Sequence, residues 1–295
     1  MSLQKTFTGT GIAIVTPFTP EGDIDWENLD RLLEFWIQGK VEYLVVMGTT
    51  GESATIHGEE KQKLFSHVQQ KVAGRIPLVA GIGGNDTREV VHALLHYDLT
   101  GYQAILSVSP YYNKPNQEGI YQHYRKVDQH TPLPVIMYNV PGRTGQSVTA
   151  ATQLRIAKDC PNIFATKEAS GNMELISQIL RDKPNNFMVI SGDDPITLPL
   201  ISAGASGVIS VVANAFPYEF SEMVRLCLKG NFEKARPLHY KYLEVTAALF
   251  AEGSPAGIKA CLFEMGLCGN YFRLPVWPVS EKHQDYIRQL VKELS

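Results

Sequence analysis

Short apolar runs and amphipathic stretches alternate along most of the chain. Residues 11–18 form an apolar, β-branched run, and residues 26–38 form an amphipathic stretch that follows a turn at Gly22. The first pattern predicts a strand and the second a helix. The same order recurs seven times; the further predicted strands and helices are 43–48 and 59–72, 77–81 and 87–99, 103–108 and 117–129, 134–138 and 149–158, 163–167 and 173–181, 187–191 and 196–203, and 207–212 and 218–228.

Eight successive strand and helix units predict a closed barrel of the α/β class, a (β/α)8 TIM barrel, rather than an open doubly wound sheet. After residue 230 the pattern contains helices alone, over residues 232–251, 255–265 and 280–294. We therefore expect a barrel domain over residues 1–230 and a C-terminal helical domain over residues 231–295. The second domain is small and suited to packing or to contacts between subunits.

The 295 residues are 44% hydrophobic and 19% charged, which is the composition of a globular protein with a large core. Basic and acidic residues number 27 and 30, and the net charge of −3 gives no footprint for nucleic acid or an anionic membrane. No apolar run approaches the length of a membrane span, and the first residues lack the apolar part of a signal peptide. The four cysteines have no CxxC spacing. We expect a cytoplasmic protein without disulfides.

Lys167 stands at the end of the predicted sixth strand. In TIM barrels the active site lies at the C-terminal ends of the strands. An ammonium group in a partly desolvated position there loses hydration, which favours the neutral amine that attacks a carbonyl. Lys167 is therefore a candidate for Schiff-base formation; the alternative is a strand-end lysine that extends into solvent.

Tyr138 and Arg143 follow the predicted fifth strand, next to the strand that carries Lys167. Adjacent strand ends lie about 5 Å apart, so that Tyr138 can face Lys167 and carry protons during imine formation. The alternative is a tyrosine that covers the barrel mouth against water. Arg143 lies in a tight Pro-Gly turn, where its guanidinium group can bind a carboxylate with two hydrogen bonds.

Residues 48–53, Gly-Thr-Thr-Gly-Glu-Ser, follow the second strand. Their hydroxyls and backbone amides suit an anion, although a turn before a helix, capped by Thr50 or Ser53, would have the same composition. Tyr111 and Tyr112 lie in a proline-flanked loop after the fourth strand. They would cap the barrel mouth or, as is more typical of such a pair, form an interface or a lid.

Three further patterns resemble known motifs without matching them. Residues 81–84, Gly-Ile-Gly-Gly, lack the glycine spacing of a dinucleotide site. His92 and His96 are four residues apart, but no glutamate stands beside the first, which favours a solvated helix face over a zinc site. Asp193 and Asp194 have the pattern of a helix N-cap. No group of residues predicts a metal site.

Taken together, the segments at residues 48–52, 138–145 and 167–171 resemble the dihydrodipicolinate synthase (4-hydroxy-tetrahydrodipicolinate synthase) family of class I pyruvate-dependent aldolases. The resemblance extends over nearly the whole chain, including the helical tail. It implies a lyase that condenses pyruvate with L-aspartate 4-semialdehyde in lysine and diaminopimelate biosynthesis. It also implies a homotetramer, a dimer of dimers, that needs no organic cofactor.

The resemblance assigns roles in proton transfer, position by position. It implies that Lys167 forms the imine with pyruvate and that Tyr138 donates and accepts protons. Thr50 would relay these protons, and Tyr112 would complete the relay in the site of the neighbouring subunit.

The resemblance also assigns binding roles. Thr49 and Thr50 would hold the carboxylate of pyruvate, and Arg143 that of the semialdehyde. Gly192 and Ile209 match positions that line the pocket. N-acetylneuraminate lyase and other 2-oxoacid aldolases share the lysine and tyrosine but need no arginine at this place, so Arg143 favours the synthase over these relatives. A non-catalytic barrel that binds a carboxylate is the alternative from a different class.

Relatives inhibited by lysine use a pocket at a subunit interface. The matching positions are Ser53, Ala54, Asn85, Glu89 and Tyr111. Two histidines of that pocket are replaced by Gly58 and Lys61, and an added cation repels a cationic effector. The resemblance with this departure predicts weak or absent inhibition by lysine.

Overall fold

The structure is a computed structural model that describes residues 2–294. Eight parallel strands follow one another in chain order and close into a barrel, which confirms the predicted (β/α)8 fold. Nearly all strand residues are buried, as expected when helices cover a parallel sheet from outside. The strands are β1 (Gly9–Ala13), β2 (Tyr43–Val46), β3 (Leu78–Gly81), β4 (Ala104–Val108), β5 (Val135–Asn139), β6 (Ile163–Glu168), β7 (Met188–Ser191) and β8 (Gly207–Ser210).

Polar caps define where many of the helices begin. Within residues 2–294, seven N-cap side chains accept a hydrogen bond from a backbone N–H two or three positions further on: Ser2, Asp25, Asp86, Asn116, Thr149, Asn172 and Asn231. Each such cap stabilises its helix by about 1 kcal/mol. The helices are α1 (Leu3–Phe7), α2 (Trp26–Gln38), α3 (Gly58–Val72), α4 (Thr87–His96), α5 (Gln117–His130), α6 (Pro141–Thr144), α7 (Ala150–Asp159), α8 (Met173–Asp182), α9 (Thr197–Ser202), α10 (Pro217–Leu228), α11 (Phe232–Lys241), α12 (Leu243–Ala251), α13 (Ala256–Glu264) and α14 (Glu281–Leu294).

A short N-terminal helix that the hydrophobic pattern does not predict closes one end of the barrel. Helix α1 places Phe7 two residues before β1 and buries it completely. The Phe7 ring packs on Tyr43 and Phe164, with ring centres 5.2 and 5.5 Å apart. Both partners lie near the start of their strands, so Phe7 seals the N-terminal end of the barrel interior.

The first strand is shorter than the predicted residues 11–18. The Ile14 amide still donates to the Val45 carbonyl, but the chain then leaves the sheet, and Phe18 forms an isolated bridge with Ile24. Proline at position 17 has no N–H to continue the ladder. The apolar run therefore covers a strand and a buried loop.

The four tail helices share one hydrophobic core with the outer layer of the barrel. The predicted single helix over residues 232–251 is wrong, because α11 ends at Lys241 and α12 begins at Leu243. Pro237 removes a helical hydrogen bond before the break, and Tyr242 at the break packs on Phe216 with ring centres 5.0 Å apart. The division into two domains at residue 230 stays a prediction.

Two glycines meet where β1 closes onto β8. Gly9 and Gly207 are register partners, with φ of +119° and +142°. A Cβ atom at Gly207 would lie 2.0 Å from the carbonyl oxygen of Gly9. Closure of the barrel therefore depends on a residue without a side chain at this position.

We expect Gly207→Ala to lower the midpoint of thermal unfolding by at least about 4 °C, because overlap and backbone strain together cost about 2 kcal/mol or more. Gly204→Ala is the matched control, since Gly204 also has a positive φ of +112° but its Cβ would meet only Leu180, at 3.8 Å. Calorimetry on both variants checks this. Equal thermal midpoints for the two variants would contradict the steric limit at the contact between β1 and β8.

Candidate active site

Tyr138 and Lys167 face each other at the C-terminal ends of β5 and β6. The two residues are register partners in the parallel ladder. The Lys167 Nζ atom lies 4.2 Å from the centre of the Tyr138 ring. Both side chains are buried. The juxtaposition predicted from the order of the strands is therefore present.

Burial lowers the pKa of the Lys167 amine to about 8, against the opposing charge of Asp194 and with a smaller lowering by Arg143. About a tenth of the amine is therefore neutral at pH 7, far more than for a solvated lysine. Gly192 leaves the space that the lysine chain occupies: a Cβ there would lie 2.9 Å from Lys167 Cε and 2.8 Å from Ala169 Cβ. Burial thus favours the neutral amine that acts as a nucleophile, and Gly192 leaves space for the lysine side chain.

Tyr138 carries a protonated phenol that is hydrogen-bonded to the Thr49 side chain. Burial raises the pKa of Tyr138 to about 12, although Arg143 and the Thr49 hydrogen bond lower it. The resemblance assigns the proton relay to Thr50, whereas the phenol contacts Thr49, its neighbour in the same turn. The relay role of Thr50 stays a prediction. Thr50 is buried in the same turn, whereas Thr49 reaches both the phenol and the cavity described below.

The residues around Thr49 form a short 3-10 turn, Thr49–Gly51, between an extended Gly48 and a left-handed Glu52 with φ of 54°. The Gly51 and Glu52 amides donate to the carbonyls of Gly48 and Thr49 within the turn. Because these two amides are used within the turn, the anion binding predicted for this loop depends on the hydroxyls and amides of Thr49 and Thr50.

Arg143 lies on α6, and a buried network holds the segment that follows it. The Asn139 side chain accepts from the Val148 amide at 2.9 Å and donates to Glu168 Oε1 at 2.8 Å. The guanidinium group of Arg143 is exposed and donates to the Ser254 carbonyl at 3.1 Å. It is thus held at the edge of the site with donors that face the opening.

A cavity of about 1030 Å³ opens at this end of the barrel. Its wall includes Thr49, Tyr138 and Arg143. Lys167 is not part of this wall, but its Nζ atom lies 4.2 Å from the centre of the Tyr138 ring. The cavity continues to the predicted effector residues, all of which line it together with the two replacements: Ser53, Ala54, Asn85, Glu89, Tyr111, Gly58 and Lys61. The side chain of Lys61 is partly buried, and this burial lowers its pKa.

The other predicted residues lie outside the cavity wall. Ile209 is buried in the barrel interior beneath it, in the same apolar cluster as Tyr138. Tyr112 points away from the chain, with 87% of its surface exposed and a φ of 69°. Nothing within one chain brings Tyr112 to Lys167.

Asp193 and Asp194 differ in their positions and contacts. Asp193 occupies the predicted N-cap position of a short 3-10 helix, Asp194–Ile196, but its side chain makes no capping bond. Asp194 is instead buried beside Lys167, and its carboxylate accepts from the Val211 and Val212 amides at 3.0 and 3.2 Å. Its place directly after the C-terminal end of β7 is the signal that identifies it.

Neither a metal site nor a membrane-spanning helix is found among residues 2–294. No group of three histidine, cysteine, aspartate or glutamate side chains there is arranged to hold a metal ion. None of the helices in that range combines the length and the apolar character of a membrane span.

Known proteins match the chain over its length. The model of the dihydrodipicolinate synthetase family matches residues 6–294. The 4-hydroxy-tetrahydrodipicolinate synthase of Parabacteroides distasonis is 50% identical over 287 residues, 97% of each chain. The crystal structure of the Aquifex aeolicus dihydrodipicolinate synthase superposes with a TM-score of 0.94 at 40% identity, covering 97% of this chain and 98% of that one. The Acinetobacter baumannii enzyme, complexed with pyruvate, gives 0.95 at 37% identity, with 98% and 99% covered. This chain belongs to the dihydrodipicolinate synthetase family.

Proposed function

We propose that this chain is a 4-hydroxy-tetrahydrodipicolinate synthase, a lyase of lysine and diaminopimelate biosynthesis that condenses pyruvate with L-aspartate 4-semialdehyde. The observation that carries the proposal is the buried Lys167 amine, 4.2 Å from the Tyr138 ring, with a pKa lowered to about 8. Pyruvate bound to a relative of the same fold supports the first substrate.

The chemistry begins at the neutral amine of Lys167. It attacks the pyruvate carbonyl, and water leaves to give an imine. Tyr138, hydrogen-bonded to Thr49, supplies the proton that the departing oxygen needs and takes protons back in later steps. Thr49 and Thr50 hold the pyruvate carboxylate. Because the imine nitrogen accepts the electron pair released from the methyl group, the reaction needs no organic cofactor.

The enamine carbon then attacks the aldehyde of the second substrate, and the new alkoxide takes a proton from Tyr138. Arg143 binds the carboxylate of this substrate. The substrate amine finally adds to the imine carbon, closes the ring and displaces Lys167.

Gly192 and Ile209 shape the space around these atoms. Tyr112 extends the proton relay from a second subunit of a cytoplasmic homotetramer.

Reductive trapping tests the imine step. With pyruvate and cyanoborohydride, Lys167 should carry the adduct. Its rate of formation should rise about tenfold per pH unit below pH 7 and level off above about pH 9, because the neutral fraction follows a pKa of about 8. An ordinary lysine would still gain rate at pH 10. Arg143→Ala should move the midpoint up and Asp194→Asn should move it down, since each removes one charge that acts on the amine.

Absence of any adduct on the wild-type chain would exclude imine catalysis and favour a non-catalytic barrel. Midpoints that move in the same direction for both variants would contradict the electrostatic account.

Arg143→Ala should lower kcat/KM for the semialdehyde about 10- to 100-fold, the effect of losing a hydrogen-bonded charge, while the pyruvate imine still forms. Steady-state kinetics combined with trapping at pH 9 separates the two effects. Arg181→Ala removes an exposed arginine paired with Asp182 and serves as the control. Loss of both activities in Arg143→Ala would contradict this division, and activity with sialic acid or keto-sugar acids instead would favour a sister aldolase.

L-Lysine should inhibit this chain weakly, with an inhibition constant of about 1 mM or above, because the Lys61 cation lies in the pocket that would receive it. Lys61→His should strengthen inhibition about fivefold or more, the effect of about 1 kcal/mol of relieved repulsion. Lys63→His, on the exposed side of the same helix beside Glu59, should leave inhibition unchanged. A wild-type constant well below 1 mM would refute this prediction.

A further inference from the structure

A buried ion pair joins the turn that carries Thr49 to the helical tail. The Lys259 Nζ atom of α13 lies 2.8 Å from Glu52 Oε1, and both side chains are almost completely buried. Glu52 directly follows the Thr49–Gly51 turn. The tail therefore contacts the active end of the barrel through this buried ion pair.

The site around Lys259 is built for an ammonium group. Its Nζ also donates to the carbonyls of Thr16 and Tyr271, at 3.1 and 2.5 Å. The rings of Phe18 and Phe272 lie on either side, each with its centre 4.5 Å from Nζ. These contacts satisfy the three donors of the ammonium group and exclude water from it.

Glu52 occupies a backbone conformation that suits glycine better. Its φ of 54° is left-handed, which costs a residue with a side chain about 1 kcal/mol or more. Its carboxylate is clamped twice by the tail: Oε1 by Lys259 and Oε2 by the Arg273 amide at 3.3 Å. The glutamate therefore fixes the path of the chain immediately after Thr49.

A second path from Lys259 reaches the same turn. Lys259 binds the Thr16 carbonyl, and the Thr16 hydroxyl donates to the Gly51 carbonyl at 2.8 Å. The tail also binds the segment after the turn, because Arg273 pairs with Glu60 through its two terminal guanidinium nitrogens, at 2.6 and 2.5 Å. The turn is thus held from the tail on both sides.

Stability alone is a poor explanation for this pair. Buried ion pairs are often no more stabilising than apolar side chains of similar volume, because desolvation offsets the attraction between the charges. What an apolar pair cannot reproduce is the directed bonding that fixes Glu52, Thr16 and Tyr271 together. The directed bonds therefore indicate that the pair serves to hold the Thr49–Gly51 turn in place.

We propose that Glu52 and Lys259 are positioning residues that set the Thr49 turn for pyruvate, so that the tail takes part in building the active site. This inference rests on the proposed function, in which Thr49 and Thr50 hold the pyruvate carboxylate. Its specific consequence is that breaking the pair weakens the use of pyruvate more than the use of the semialdehyde, whose carboxylate is held by Arg143.

The test compares Lys259→Met, Glu52→Gln and the double variant with the wild type. Measured quantities are the KM for each substrate, the pyruvate dependence of imine trapping and the thermal midpoint. Both single variants should raise the pyruvate KM about 10-fold or more and lower the midpoint, because each leaves one charge buried alone. The double variant should regain most of the midpoint but not the pyruvate KM, since neither charge is left unpaired and the turn is still unclamped.

Arg288→Met is the matched control. It breaks the tail ion pair between Arg288 and Glu264, which has an N to O distance of 2.7 Å and no contact with the turn. Its pyruvate KM should stay within about twofold of the wild type.

A folded double variant with a wild-type pyruvate KM would overturn the inference, as would equal increases in KM for both substrates. If a single variant fails to fold, the double variant decides. If the wild type forms no imine, the proposed function fails instead, and the two failures are thereby distinguished.

Discussion

Desolvation of the Lys167 ammonium is the constraint on which the active end of this barrel depends. Closing eight strands leaves room in the interior for side chains but little for water. An ammonium group placed there gives up hydration, and within residues 2–294 no carboxylate forms an ion pair with it. Asp194 acts on it through space, while one oxygen of the Asp194 carboxylate accepts from two backbone amides. The fold thus yields an amine that is partly neutral, which a surface lysine is not.

The surroundings of this amine are organised in layers around the strand ends. The barrel supplies the lysine and the phenol in fixed register, and the loops supply hydroxyls and a guanidinium group. Behind these loops stand buried acidic and basic side chains that hold the loops from within: Glu168 beneath the Arg143 segment, and Glu52 with Lys259 beneath the Thr49 turn. Such support suits a site whose reacting groups must be held to within a fraction of an ångström.

The fold and most of the site follow from the sequence because they depend on periodic burial and on strand order. Eight apolar runs with intervening amphipathic stretches suffice for the barrel, and neighbouring strands suffice to bring Tyr138 to Lys167. Which of Thr49 and Thr50 contacts the Tyr138 phenol could not be predicted this way, since successive side chains on a 3-10 turn differ in direction by about 120° and the hydrophobic pattern does not fix which one faces the phenol. Lys259 was equally hidden, because an isolated lysine in an apolar helix usually extends to solvent, and only the tertiary contact with Glu52 shows otherwise. The break at Tyr242 and the short helix α1 likewise depend on packing partners far along the chain.

The Phe7 ring, packed at the N-terminal end of the barrel, limits how molecules can reach Lys167. With the N-terminal end sealed by packed rings, everything that reaches or leaves Lys167 passes through the same mouth, past Tyr138. Under the proposed mechanism, the molecule that bonds to Lys167 therefore enters before the one that Arg143 would bind nearer the rim. The water released by imine formation would then leave before the second molecule covers the opening. On that proposal, the depth of Lys167 in the barrel imposes an order on the two substrates.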